Sequence, residues 1–116
     1  MAAVYIQAIV GAIMIIAGWI LKIFPPREMN MLYGYRTGHA YHSKEAWDFA
    51  QKYSAKAMFR SGAVLFMVSP IYLLIHINHY IVILASILIS LLFVFAPIFF
   101  TERALRKNFP TDSKIN

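Results

Sequence analysis

Few side chains in this sequence can do chemistry, and most of them gather in one place. Between Met29 and Trp47 the sequence MNMLYGYRTGHAYHSKEAW brings Arg36, His39, His42 and three tyrosines together. The Arg36 guanidinium can hold a phosphate or carboxylate through two parallel hydrogen bonds, and Tyr35 offers an aromatic face beside it. An arginine at a membrane boundary can equally reach lipid headgroups or form a structural ion pair. His39-x-x-His42 and His76-x-x-His79 could each bring imidazole nitrogens to a metal. Neither pair completes a site alone, so a metal would need Glu45, Asp48 or a second subunit, and none is expected. For catalysis the chain has five carboxylates (Glu28, Glu45, Asp48, Glu102 and Asp112), no Cys, and no nucleophile elbow or phosphate-binding loop. No enzyme activity and no cofactor are expected.

The elements that must position these residues are unusually apolar. Hydrophobic residues make up 60% of the 116, with a mean hydropathy of +0.61, well above the share of a soluble domain. A bilayer core demands about 20 consecutive apolar residues per helix, because it offers no water to backbone N–H and C=O groups. Three stretches qualify. The first runs from Ala2 to Phe24 with no charge before Lys22; the other two lie within Ser61–Thr101, 41 residues without Asp, Glu, Lys or Arg, divided by the polar tip His76-Ile77-Asn78-His79-Tyr80. Pro70 and Pro97 fall inside the second and third spans, where neighbouring side chains must make up for the missing N–H. The first span lacks a basic start and a small-residue cleavage site, and reads as a retained helix rather than a signal peptide. Ala8, Gly11 and Gly18 form a small-residue strip on span one, and Ser86-x-x-x-Ser90 marks span three, both suited to close helix contact.

Charge sets the expected orientation. Seven basic residues (Lys22, Arg27, Arg36, Lys44, Lys52, Lys56, Arg60) lie between the first two spans and four (Arg103, Arg106, Lys107, Lys114) follow the third. Short basic segments stay in the cytoplasm, so the long loop and the C-terminus are expected inside, with the N-terminus and the His76–Tyr80 tip outside. The net charge of +6 serves topology and lipid phosphates; a nucleic-acid partner would call for a denser basic stripe and is not expected.

Pro25-Pro26 ends the first helix. Asn30 and Gly34 are turn-shaping residues, through side-chain bonding to backbone and a permitted positive φ. From Ser43, a plausible N-cap with Glu45 and Asp48 in the first turns, a helix begins. Trp47, Ala50, Ser54 and Ala57 recur on one face, while Lys44, Asp48, Gln51, Lys52 and Lys56 occupy the wet face. Trp47 and the tyrosines are expected as interface anchors.

Asn30-x-x-x-Gly34-Tyr35-Arg36-Thr37, followed ten residues later by Trp47 and then Ala50, resembles the signature of the SdpI family of bacterial membrane proteins, in which an N-x-x-x-G-Y-R-T loop precedes a W-x-x-A-N helix. One span before the motif and a hairpin after it also match that family's layout. Gln51 stands where the family shows Asn, and the chain carries only a three-span portion of the longer, best understood member. The resemblance implies an immunity protein: that member protects a bacterium from its own membrane-active peptide toxin and sequesters a transcriptional repressor at the membrane.

The expectation is an all-α integral membrane protein, a single SdpI-like domain over residues 1–116. Its three transmembrane helices lie at about 3–24, 59–75 and 81–101. A cytoplasmic loop and amphipathic helix over 25–58 continue into the second span, and residues 102–116 form a cytoplasmic tail. Its function is resistance to, or sensing of, a membrane-active peptide in the bacterial inner membrane. Asn30, Gly34, Tyr35, Arg36, Thr37 and Trp47 form the binding or docking loop. Its partners would be membrane lipids, a peptide toxin or regulatory protein, and further copies of itself, since three short helices bury little. A small oligomeric channel or transporter is the alternative.

Overall fold

The computed structural model describes residues 2–30 and 33–109. Helix α1 covers Ala2–Ile23. Helix α2 covers Lys44–Val68 and runs on as a 3-10 segment over Ser69–Leu74. Helix α3 covers His79–Asn108. The 22 residues of α1 are about 33 Å of helix, enough to cross the hydrocarbon of a bilayer. All three helices are long and apolar enough to do so.

Burial runs opposite to that of a water-soluble bundle. Gln7, Gln51, Ser54, Ser69, Ser86, Ser90 and Thr101 are buried, while Ile9, Leu84, Leu88, Leu92 and Phe95 are exposed. An apolar exterior this extensive needs an apolar solvent, and small or polar residues inside are how helices meet where lipid has removed the hydrophobic drive.

Helices α1 and α2 lie antiparallel and share the largest interface. Ala3, Gln7, Gly11, Met14, Gly18 and Leu21 are the buried stripe of α1. A Cβ on Gly11 would sit 2.7 Å from the Gly62 carbonyl and the Phe66 nitrogen, and one on Gly18 would lie 2.8 Å from the Phe59 nitrogen. Gly11 and Gly18 of the small-residue strip thus let the two backbones of the subunit touch.

Both prolines are compensated. Pro97 cannot donate to the Phe93 carbonyl four residues earlier, and the Ser61 hydroxyl of α2 donates to that carbonyl at 2.6 Å. Pro70 likewise cannot donate to the Phe66 carbonyl, which accepts instead from the Ser69 backbone N–H and from the Ser69 hydroxyl, the latter at 2.7 Å. Where α2 tightens into the 3-10 segment, the Gln7 amide donates to the Leu65 carbonyl at 3.1 Å and accepts from Tyr72 at 2.5 Å. This buried polar set pins the start of α1 to the end of α2.

Caps fix the other ends. The Ser43 hydroxyl accepts from the Ala46 N–H at 3.0 Å and so starts α2 as the sequence reads. The Asn78 side chain accepts from the Tyr80 N–H at 2.9 Å and starts α3.

Candidate functional site

The loop between α1 and α2 is held at three points, one within itself and two on the helices. The first is a turn: the Asn30 side chain accepts from the Tyr33 N–H at 2.8 Å and donates to the Glu28 carbonyl at 3.0 Å. The Tyr41 hydroxyl then donates to the Asn30 carbonyl at 2.6 Å.

The second is a two-way amide clamp. Gln51 accepts from the Tyr35 N–H at 2.7 Å and donates to the Tyr35 carbonyl at 2.8 Å, satisfying both backbone groups of one buried residue. Gly34 lets the chain reach it. Its φ is +96°, and any Cβ there would lie 2.5 Å from the Gln51 Oε1 and 2.6 Å from Pro26 Cγ. Beside the clamp the Trp47 indole N–H donates to the Pro26 carbonyl at 2.8 Å. Tyr35, Ala40, Ala46, Trp47, Ala50 and Leu105 close into an apolar cluster flanked by Phe49 and Phe109.

The third point is Glu102 on α3. Its Oε2 accepts from the Tyr35 hydroxyl at 2.6 Å and the Thr37 hydroxyl at 2.5 Å, and its Oε1 lies 2.9 Å from the His39 Nδ1. The last contact becomes an ion pair whenever the imidazole is protonated. Burial first, and the neighbouring carboxylate second, push the Tyr35 phenol well above its ordinary value, so it stays a protonated donor. Thr37 also accepts from the Ala40 N–H at 3.3 Å, which steadies the short turn leading to α2.

Of the six motif residues, Asn30, Gly34, Tyr35, Thr37 and Trp47 are therefore engaged in building the loop. Trp47 is fully buried, which corrects its reading as an interface anchor: its indole N–H had a backbone carbonyl to satisfy and its ring a cluster to fill. Gln51, placed on the wet face by periodicity, is 1% exposed. Arg36 alone of the six is exposed. It lines, with Leu21, Tyr33, Tyr41, Met58 and Ile98, a cavity of about 600 Å³ between the loop and the helices.

Sequence reasoning missed Gln51 and Glu102 as parts of the site. Gln51 occupies the position where the resembling motif carries a carboxamide of the same chemistry, which was the available signal. Glu102 follows directly on the 41-residue charge-free run and is the first charged residue after it, which was its signal. Among the described residues no three His, Asp or Glu side chains come together as a metal site.

Helices of this length with an apolar exterior define a multi-pass membrane protein. The SdpI/YfhL protein family matches residues 27–101, which takes in the clamped loop, α2 and most of α3, and the chain belongs to that family. A Bacillus subtilis (strain 168) relative, the uncharacterized protein YfhL, is 46% identical over 55 residues, 47% of this chain and 50% of that protein. The match thus spans half the length of the relative. No solved structure matches the chain.

Proposed function

We propose that this protein is an immunity-type protein of the bacterial inner membrane, giving resistance to a membrane-active peptide or sensing one, with Arg36 as its contact residue. The observation that carries the reading is the family match over a loop that its motif residues brace and on which Arg36 is exposed. The braced loop is pre-organised, so little backbone entropy is lost when its exposed guanidinium engages a carboxylate or phosphate. The distribution of Lys and Arg supports a cytoplasmic loop and C-terminus with the N-terminus outside.

The test is survival of a toxin-sensitive bacterium expressing the protein, challenged with membrane-active peptides, with wild type beside Arg36→Ala at matched membrane levels. Protection by wild type and its loss in Arg36→Ala is the expected result. No protection by wild type overturns the immunity reading; equal protection by both proteins removes Arg36 from it.

A further inference from the structure

Two grooves flank α2, and they share two cations. One, about 550 Å³, lies between α2 and α3 and is walled by Val64, Leu92, Phe93 and Phe100. The other, also about 550 Å³, lies between α1 and α2 and is walled by Ile15, Trp19 and Phe59. Lys56 and Arg60, one helical turn apart, line both; Lys22 at the end of α1 joins them in the second.

Among the described residues, no ion pair engages any of these three cations. Among the described residues, Asp48 is engaged by Lys44 at 2.7 Å and Glu102 by the loop, and neither of those ion pairs reaches Lys22, Lys56 or Arg60. All three side chains are exposed, and Gly18 against Ala55 and Phe59 sets the neighbouring turn of α1 beside this stretch of α2. Long basic side chains at such a level lay their stems along apolar surface and carry their heads to the interface.

The geometry points to a binding site for an anionic phospholipid, its phosphate held by Lys22, Lys56 and Arg60 and its acyl chains laid in the grooves on either side of α2. Charge complementarity selects the occupant. The grooves are apolar along the helices and basic at one end, which is the polarity of a lipid with a negative headgroup, and basic recesses between spanning helices recognise such headgroups. A zwitterionic lipid fills the same grooves but offers its phosphate together with a cation, which Lys22, Lys56 and Arg60 repel. The site is separate from Arg36, and the inference stands or falls independently of immunity.

Trp19 in the groove wall is a built-in reporter. The full chain is placed in phosphatidylcholine nanodiscs containing a minority of phosphatidylglycerol, with bromine on the acyl chains of one lipid or the other at equal mole fraction. A Trp19→Phe sample supplies the background from buried Trp47. Bromine on phosphatidylglycerol is expected to quench Trp19 more than bromine on phosphatidylcholine. Lys56→Gln/Arg60→Gln is expected to lower the relative affinity for the anionic lipid about fivefold per cation removed and bring the two quenching curves together. Lys44→Gln/Lys52→Gln, which removes two cations outside both grooves, is expected to retain the preference. Equal quenching by the two lipids in wild type, a preference that survives Lys56→Gln/Arg60→Gln, or the same loss in both double variants overturns the site. Lys22→Gln, on a different helix, reads the same preference if the double variant fails to fold.

Discussion

Removing the Glu102 carboxylate should release the loop without unfolding the bundle. In Glu102→Ala the Tyr35 hydroxyl, the Thr37 hydroxyl and the His39 imidazole lose one shared acceptor. A hydrogen bond to a charged group contributes about 1.5–3 kcal/mol net when buried. Thr37 and His39 are partly exposed and regain water, and Tyr35 keeps the Ile98 carbonyl at 3.2 Å as a poorer acceptor. The three together are therefore set at about 3 kcal/mol, twice the lower single-bond figure rather than three times it, or roughly a hundredfold in the loop's opening equilibrium. The Tyr35 amide reports that equilibrium directly, because its N–H is held by Gln51 and exchanges with solvent only when the loop lifts. Hydrogen exchange followed by mass spectrometry should show protection at Tyr35 falling about a hundredfold in Glu102→Ala and about tenfold in Glu102→Gln, which keeps the shape but not the charge. Amides in the middle of α1 should exchange as in wild type. If Tyr35 protection in Glu102→Ala stays within about twofold of wild type, Glu102 is a bystander and the three-point account of the loop fails.

Two further outcomes follow from backbone geometry. Gly34→Ala should disrupt the loop, since a positive φ costs about 1–2 kcal/mol in a residue with a Cβ and the new methyl would strike Gln51; Gly38→Ala, with nothing within 4 Å, should lie within about 0.5 kcal/mol of wild type. Thermal melts in detergent separate the two, and equal melting temperatures would contradict the assignment. Gly62→Ala drives a methyl to 2.7 Å from the Gly11 carbonyl, so α1 and α2 must part, at an overpacking cost of about 1–3 kcal/mol. A melting temperature unchanged from wild type would refute so tight a crossing.

The parts of the structure that local pattern dictates were legible, and those that depend on a distant partner were not. Hydropathy located the three helices because lipid imposes one requirement on every spanning residue. The Ser43 cap, the turn at Asn30 and Gly34, and the need to compensate two prolines were readable because each concerns groups within four residues along the chain. Which hydroxyl would reach the Phe93 carbonyl was not, since Ser61 lies 32 positions away. Gln51 shows where periodicity misleads. A helix face is assigned by averaging residue types, and a Gln among Lys and Asp reads as wet. Burial is in fact permitted to a carboxamide that returns both a donor and an acceptor to one backbone residue. Trp47 failed for the converse reason: aromatics are placed at interfaces by type, whereas the Pro26 carbonyl decides this one. Glu102 combines both difficulties. It sits among Arg103, Arg106 and Lys107, where a carboxylate reads as ordinary tail charge, and the groups that need it are 63 to 67 residues earlier. The motif Gly34-Tyr35-Arg36-Thr37 holds two of the three donors to that carboxylate, so the signature encodes a loop braced against α3, with Arg36 exposed between those donors.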